Sequence, residues 1–359
     1  MTRAAQRAPL PEFRGITHRS VAELHAWTGQ RRESALEAAL PIVDPHHHLW
    51  DDQRGRYLAD EFVDEFAGHN IVATVYAQFK AMYRTDGATK FQPVGEVEFV
   101  NGIAASSASG RYGDVRLCEG IVAHADLLLG DEVQDVLEAL IAAGNGRLRG
   151  IRHGATWDGG SAGYGRTFAP ARLMLDPTFR RGLARLAPLG LSFDAWLFYP
   201  QLADLIDTLQ SFPATRVVLN HAGGVLGIPP HTDRGAVFSV WRSHIQKLAR
   251  FDNLSVKVGG LGMLYCGWDF HAQEIPPSSE ELAEAWRPYV EACIEAFGPQ
   301  RCMFESNFPV DKQSCGYGIL WNAFKRITSA CSPAEKAALY HDTAVRAYRL
   351  PREVLACSR

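Results

Sequence analysis

The stretch Leu40-Pro41-Ile42-Val43-Asp44-Pro45-His46-His47-His48-Leu49-Trp50 joins a short apolar run to three consecutive histidines. An extended strand places alternate side chains on one face. The spacing therefore predicts that Asp44, His46 and His48 point to one side of a buried strand, and that His47 points to the other. Two imidazoles on one face of a strand can bind one metal ion or one substrate together, and histidine suits either role near neutral pH.

Further apolar runs, often rich in β-branched residues, follow this stretch at intervals along the chain. They cover residues 71–76, 117–122, 148–151, 191–197, 217–219, 254–258 and 302–304. Segments with a helical period of apolar residues, such as 133–141 and 202–209, lie between them. Strands that alternate with helices predict a parallel sheet. With 42–43 the runs number eight, which predicts a (β/α)8 barrel. A doubly wound sheet is the alternative, but no GxGxxG motif follows an early strand.

Polar residues follow the ends of these runs, where the active sites of barrels form. The candidates are His46, His48, Gln78, His124, Arg152, His153, His221 and Asn307. Arg152 could bind a substrate carboxylate through its planar fork, or could form a salt bridge on the barrel wall. His153 is its neighbour and points to the opposite face, so only one of the two can face a pocket. Gln78 and His153 are further candidates for substrate binding.

The last run continues into a second group of candidate catalytic residues. Alternation along the strand places Met303, Glu305 and Asn307 on one face. A buried glutamate needs a partner or must stay protonated. Lys257, on the preceding strand, is the natural partner. Such a pair would be either structural support or part of an active-site charge relay.

Aromatic residues and one long loop complete the predicted pocket. Trp196, Tyr199 and Trp268 could form its apolar wall, although ordinary packing explains each of them equally well. The loop 259–278, after the seventh strand, is long enough to predict a functional role, often that of a lid. Ser278 with Glu281 forms a capping box that predicts the next helix. A second capping box at 332–335 predicts a C-terminal amphipathic helix through 339–348, which we expect on the barrel exterior.

The composition predicts an ordinary globular protein with a small-molecule substrate. The chain has 359 residues, a net charge of −3 and 47% hydrophobic residues. This net charge does not predict binding to nucleic acid or to an anionic membrane. The seven cysteines form no CxxC pair, which favours a reducing, cytoplasmic location. We expect no secretory signal. Residues 1–40 are predicted to form an arm and a helix capped by Ser20, and 41–359 the barrel. Homo-oligomerisation is compatible with this fold.

Several of these motifs together resemble a known group of enzymes. The chain resembles the amidohydrolase superfamily in three places. They are the pattern Asp44-x-His46-x-His48, the strand that ends in His221, and the segment Ser306-Asn307-Phe308-Pro309. The resemblance is stronger to its amidohydrolase-2 type, the metal-dependent-hydrolase branch with fuconolactonase-like and 2-pyrone-4,6-dicarboxylate lactonase-like proteins. Segments 150–153 and 193–194 are similar to this branch as well. The resemblance covers about residues 41–350.

This resemblance implies a (β/α)8 barrel that hydrolyses an ester-like bond at the mouth of the barrel. His46, His48 and His221 would bind a divalent metal, with zinc as the first candidate, or polarise the substrate carbonyl directly. Some members of the branch act without a metal. Arg152 and Lys257 would then contact a substrate carboxylate.

One position departs from the family pattern. The family usually ends its last strand with Ser-Asp-x-Pro, whereas this chain has Asn307 in place of the aspartate. An amide has no useful basicity, so Glu305 or Asp311 would replace it as the general base, and Asn307 would orient substrate or water.

The sequence thus predicts a hydrolase that opens a lactone or related cyclic ester. The alternatives are a metal-dependent non-oxidative decarboxylase of an aromatic or dienoic acid, and a binding protein on the same scaffold.

Overall fold

Eight parallel strands form one sheet in chain order, and each apolar run of the sequence is confirmed as one of them. The computed structural model describes residues 19–52, 55–159 and 169–351. The strands of the sheet are β1 (Ile42–His47), β4 (Ile71–Ala77), β5 (Arg116–Ala123), β6 (Leu148–Ile151), β7 (Ser192–Ala195), β8 (Val217–Leu219), β9 (Leu254–Val258) and β10 (Cys302–Phe304). A small antiparallel hairpin, β2 (Trp50–Asp52) and β3 (Gly55–Tyr57), follows β1.

Helices surround this sheet. They are α1 (Val21–Thr28), α2 (Ala59–Asp64), α3 (Val94–Ala108), α4 (Val133–Gly144), α5 (Pro177–Ala184), α6 (Leu202–Ser211), the short turn α7 (His221–Gly224), α8 (Arg234–Leu248), α9 (Ser279–Phe297), α10 (Tyr317–Ile327), α11 (Pro333–Ala337) and α12 (Thr343–Tyr348). The capping boxes predicted at Ser278 and Ser332 are confirmed, and Ser20 caps α1 in the same way. Within the described ranges, no helix has both the length and the apolar character needed to cross a membrane.

The first and last strands meet and close the sheet into a barrel. The backbone N–H of Asn307 donates to the carbonyl of His46 (2.9 Å), and the N–H of His48 donates to the carbonyl of Phe308 (2.8 Å). Each of the other strands pairs in parallel with its neighbour in sequence. The predicted (β/α)8 barrel is therefore confirmed, and the doubly wound alternative is wrong.

A bulge in β1 changes the orientation of its side chains. Asp44 is opposite Thr74 and His47 is opposite Tyr76, so three steps along β1 match two along β4. An extra residue of this kind shifts the alternation of side chains between the two faces of a strand.

Because of this bulge, the prediction for Asp44 was wrong. Its carboxylate accepts from the Tyr317 hydroxyl of α10 (3.0 Å), so it lies on the helix side of the barrel. His47 lies on the same side, as predicted, and stacks on Phe62 of α2 with ring centroids 4.3 Å apart. His46 and His48 point to the interior of the barrel.

The C-terminal helix α12 closes the N-terminal end of the barrel, so the prediction of exterior packing was wrong for residues 343–348. Tyr340, in the π-helical turn before α12, packs against Phe304 on the helix side of the barrel with ring centroids 4.8 Å apart, as expected. Val345 and Tyr348 of α12 lie in one apolar cluster with interior residues of the strands, namely Val43, Val75, Val122, Val218 and Met303. The Tyr348 hydroxyl donates to Asp194 Oδ2 (2.7 Å), deep in the barrel. The apolar face of α12 therefore covers the open end of the barrel core, which the strands alone would leave in water.

The long loop 259–278 follows β9 as predicted, and the N-terminal segment packs against it. The indole Nε1 of Trp27, in α1, donates to the carbonyl of Gln273 (3.0 Å), and Nε of Arg31 donates to the carbonyl of Pro276 (3.1 Å). The predicted arm at 1–18 lies outside the described residues.

Candidate active site

Three imidazoles from distant parts of the chain meet at the C-terminal end of the barrel. The ring centroid of His46 lies 4.9 Å from that of His48 and 4.4 Å from that of His221. All three rings are buried. β1 carries the first two, and His221 follows β8 with a left-handed φ of 54° that turns the chain into α7.

Glu305 connects two of these histidines. Its Oε1 accepts from the backbone N–H of His221 (3.0 Å) and from Nδ1 of the same residue (2.8 Å). Its Oε2 lies 2.9 Å from Nδ1 of His46. Burial raises the pKa of Glu305 to about 8, against the opposing effect of Lys257. Oε1 fixes the tautomer and the orientation of His221 whether or not Glu305 is ionised, whereas Oε2 accepts from His46 Nδ1 in the ionised form.

His46 also lies between two cationic side chains. Arg152 Nη1 is 3.0 Å from its Nε2, and Lys257 Nζ is 3.1 Å from its Nδ1. A guanidinium group can only donate, and a neutral imidazole has one lone pair. Both cations can only donate, so only one of the two contacts is a hydrogen bond. When Nε2 of His46 accepts from Arg152, Nδ1 carries the proton toward Glu305 Oε2, and Lys257 donates to Asp194 instead. Burial, followed by the charge of Lys257, holds the pKa of His46 well below 6.5, so the ring is neutral.

Lys257 forms its ion pair with Asp194, not with Glu305 as the sequence suggested. Its Nζ lies 2.9 Å from Asp194 Oδ2, and both side chains are completely buried. The same carboxylate accepts from Asn220 Nδ2 (3.0 Å) and from the Tyr348 hydroxyl (2.7 Å). Lys257 thus supports the floor of the site and is far from solvent. Arg152 is also buried, with 4% of its surface exposed, and its Nη2 donates to the carbonyl of Gln78.

Asn307 lies between His48 and Asp311. Nδ1 of His48 donates to the carbonyl of Ala77 (2.7 Å), so its Nε2 holds the lone pair, and this atom is 3.2 Å from Asn307 Oδ1. The Asn307 amide nitrogen is 2.7 Å from Asp311 Oδ1, and Asp311 Oδ2 accepts from the N–H of Gly262 (2.9 Å).

The arrangement at Asn307 places its oxygen against a lone pair of His48. A rotation of the amide by half a turn replaces that repulsion by an N–H donated to His48, provided that Asp311 is protonated and donates to the amide oxygen. Burial raises the pKa of Asp311 well above its ordinary value, which favours the protonated form that this arrangement needs. Asn307 therefore transmits hydrogen bonding from Asp311 to His48, a role that aspartate could not fill in the same way.

The variant Asn307→Asp tests this role. It would place two carboxyl groups about as close as the 2.7 Å that now separates amide and carboxylate. One of them must keep a proton, with a raised pKa. The wild type already retains one such proton on Asp311, so a single retained proton gives the variant no additional pH slope relative to wild type. The variant instead adds a buried carboxylate that faces the lone pair of His48, and we expect it to be less stable than wild type by about 1–3 kcal/mol, and less active, at both pH 5 and pH 8. Urea denaturation at the two pH values measures the loss of stability. Unchanged stability with higher activity would contradict the role of the amide.

The remaining candidates lie at different distances from the histidines. The ring of Trp196 packs edge-on against His221, with centroids 4.6 Å apart. The Tyr199 hydroxyl is 2.9 Å from His231 Nδ1, and the Trp268 ring lies 3.8 Å from the Arg234 guanidinium, so both have other contacts. Nδ1 of His153 accepts from the backbone N–H of Leu127 (3.1 Å). Gln78 contributes its backbone carbonyl to Arg152.

Two residues near the site were not singled out as functional candidates. Asp194 anchors Lys257, and the ring of Phe79 packs on His48 with centroids 4.4 Å apart. The sequence signal for Asp194 was its position as a lone acid inside the apolar run 191–197. A buried acid of this kind requires a cationic partner. No sequence signal pointed to Phe79.

The donor atoms of His46, His221 and Glu305 lie within 4.8 Å of one another and are all buried. Two imidazoles and a carboxylate are a common ligand set for a divalent ion such as zinc, so these residues fit one. His48 is not part of this group. Nε2 of His46 accepts a hydrogen bond from Arg152. The same nitrogen cannot bind a metal ion at the same time.

Several known proteins are similar to this chain in sequence and fold. A family model described as Amidohydrolase matches residues 43–350. The uncharacterized protein y4mH of Sinorhizobium fredii is 32% identical over 334 residues, 87% of this chain and 99% of that protein. An L-fucono-1,5-lactonase of Burkholderia multivorans is 27% identical over 319 residues, 86% of this chain and 96% of that enzyme. A solved amidohydrolase of Burkholderia multivorans with bound zinc is similar at a TM-score of 0.66 and 24% identity, covering 86% of this chain and 99% of the other. The chain with this histidine cluster in a (β/α)8 barrel therefore belongs to the amidohydrolase family and is a hydrolase.

Proposed function

We propose that this amidohydrolase opens a lactone or related cyclic ester of a small acidic or sugar-like molecule. The observation that carries the proposal is the meeting of His46, His48 and His221 at the mouth of the barrel, with Glu305 holding two of them. The similarity to an L-fucono-1,5-lactonase over most of both chains favours a lactone among the possible esters.

His221 is suited to accept a proton from water. Glu305 holds its Nδ1–H, which leaves the lone pair on Nε2, and no described residue forms a hydrogen bond with that atom. Burial and the charge of Arg152 keep the pKa of His221 well below 6.5, so the ring is neutral. A neutral imidazole has the free lone pair that a general base needs, and its lowered pKa makes it a weaker base than an exposed histidine. Glu305 thus acts through His221, and Asp311 reaches the site only through Asn307.

The reaction then balances without any further reagent. The water oxygen bonds to the lactone carbonyl carbon, the ring C–O bond breaks, and the proton held by His221 passes to the leaving alkoxide oxygen. The product is a hydroxy acid, which releases one proton at neutral pH. Charge that develops on the carbonyl oxygen is stabilised by donors already in place, among which Arg152 is the cationic one.

A divalent ion held by His46, His221 and Glu305, with zinc as the metal we propose, would polarise the carbonyl or lower the pKa of water. The one lone pair of His221 would then be bound to the ion, so His221 acts as general base in the metal-free site and as a ligand in the metal-bound one. The recognition of a substrate carboxylate falls to Arg152, because Lys257 is fully buried against Asp194.

The direct test is a screen of lactones with a pH indicator. The panel contains L-fucono-1,5-lactone, other five- and six-membered sugar lactones, and carboxylated lactones, and the matched control is the purified variant His221→Gln. We expect proton release from at least one lactone with wild-type protein and a loss of at least about a hundredfold in the variant. Carbon dioxide release from a carboxylated aromatic acid, with no lactone opened, would favour the decarboxylase. Saturable binding without turnover would favour the binding protein.

Metal removal provides a second prediction. We expect prolonged dialysis against a chelator to lower the activity by at least about tenfold, and addition of zinc to restore it. Elemental analysis before and after dialysis gives the metal content of the same samples. Full activity in metal-free protein would show instead that Arg152 and the histidines polarise the carbonyl by themselves.

A further inference from the structure

A cavity of about 760 Å³ lies at the N-terminal end of the barrel, opposite the histidines. Four arginines line it, namely Arg216, Arg250, Arg301 and Arg346, together with one carboxylate, Asp252. Arg216 and Arg301 directly precede β8 and β10, and Arg346 belongs to α12. The cavity therefore has an excess of three positive charges, in a protein whose net charge is −3.

Two of these arginines have no partner among the described residues. Arg301 donates to three backbone carbonyls, those of Phe297, Phe251 and Ala249, and is structural. Arg346 donates to the carbonyl of Gln300 (2.8 Å). For Arg216 and Arg250, both exposed, no hydrogen bond of the guanidinium and no ion pair is found in the described parts of the chain.

Several arginines elsewhere on the surface are arranged differently. Arg180, Arg185 and Arg242 each lie against a carboxylate, of Asp207, Asp131 and Glu295 respectively. The positive charge at the cavity is thus locally uncompensated, and two complete guanidinium forks are available to an oxygen anion. Such forks match the geometry of phosphate and carboxylate oxygens.

We propose that this cavity is a binding site for a small polyanion that carries phosphate groups or several carboxylates. Its size is that of a typical pocket for a small molecule, roughly 300–1,000 Å³. A nucleic acid is a poorer match, because a duplex-binding surface commonly neutralises about six to ten phosphates. The cavity offers fewer cationic groups than that, and it is concave.

Inorganic pyrophosphate is the probe for this site. Titration calorimetry on the full chain measures its affinity for the wild type, for Arg216→Gln/Arg250→Gln, and for the control Arg242→Gln. The control removes one exposed arginine that already has a carboxylate partner. We expect one saturable site in the wild type, at least a tenfold weaker affinity in the double variant, and less than a twofold change in the control. Raising the salt concentration should weaken binding to the wild type, because the charges are exposed.

Three results would overturn the proposal. The first is no saturable binding of pyrophosphate by the wild type. The second is equal affinity in the wild type and the double variant, which would place the anion elsewhere, for example at Arg152. The third is arginine-dependent binding of a single-stranded oligonucleotide with no binding of pyrophosphate. Circular dichroism of each variant checks that the exposed substitutions leave the fold intact.

Discussion

Replacing His46 with alanine is expected to lower kcat/KM about a thousandfold, the upper range for loss of a group that stabilises the transition state. The imidazole faces Arg152 at 3.0 Å through Nε2, and Glu305 lies 2.9 Å from its Nδ1. Its loss removes a metal ligand or a polarising group and leaves both partners without their contact. The rate with the lactone found in the screen, measured with and without added zinc, gives the effect. His46→Gln repeats the test with a polar side chain of similar size.

The neighbouring residue provides the matched control. His47 is equally buried and belongs to the same strand, but its Nε2 lies 2.9 Å from the Thr74 hydroxyl, on the helix side. Burial lowers the pKa of His47 to about 3, so the ring is neutral and glutamine is a fair replacement. We expect His47→Gln to keep kcat/KM within about threefold and to lose about 1–3 kcal/mol of stability. Equal losses of activity at both positions would mean that His46 acts only through the fold.

The second large effect concerns stability. Lys257→Met should lower the free energy of unfolding by about 3–5 kcal/mol, because it leaves the carboxylate of Asp194 buried without its counter-ion. The two charged groups are 2.9 Å apart and fully buried, and the remaining donors to Asp194, from Asn220 and Tyr348, are neutral. Urea denaturation followed by tryptophan fluorescence measures the change.

A double variant separates the ion pair from the packing. If Lys257→Met acts by stranding a charge, Lys257→Met/Asp194→Asn should be more stable than the single variant, since no unpaired charge remains. The coupling energy from the complete cycle should be at least about 1 kcal/mol. Strictly additive losses would contradict the assignment of Lys257 to Asp194, and a stabilising interaction of Lys257 with Glu305 would then explain the single variant better.

The sequence predicted the barrel because its information is local and periodic. Each strand is a short apolar run that must be buried, and every one of the runs is a strand of the sheet. The capping boxes at Ser278 and Ser332 depend on neighbouring residues only, so the sequence alone predicted them as well. The alternation of His46, His47 and His48 held for the same reason.

The partners of the buried charges were decided by the tertiary structure. Lys257 could have reached Glu305 or another interior acid, and it pairs with Asp194, two strands away on β7, because side chains from alternate strands meet in one layer inside the barrel. Asp44 turned to the helix side because one extra residue in β1, invisible as a pattern, shifted the alternation. α12 lies at the N-terminal end of the barrel because only the closed ring of strands creates the apolar opening that it covers. Periodicity fixes which side chains are buried, whereas the contacts among them depend on distances between segments that are far apart in the chain.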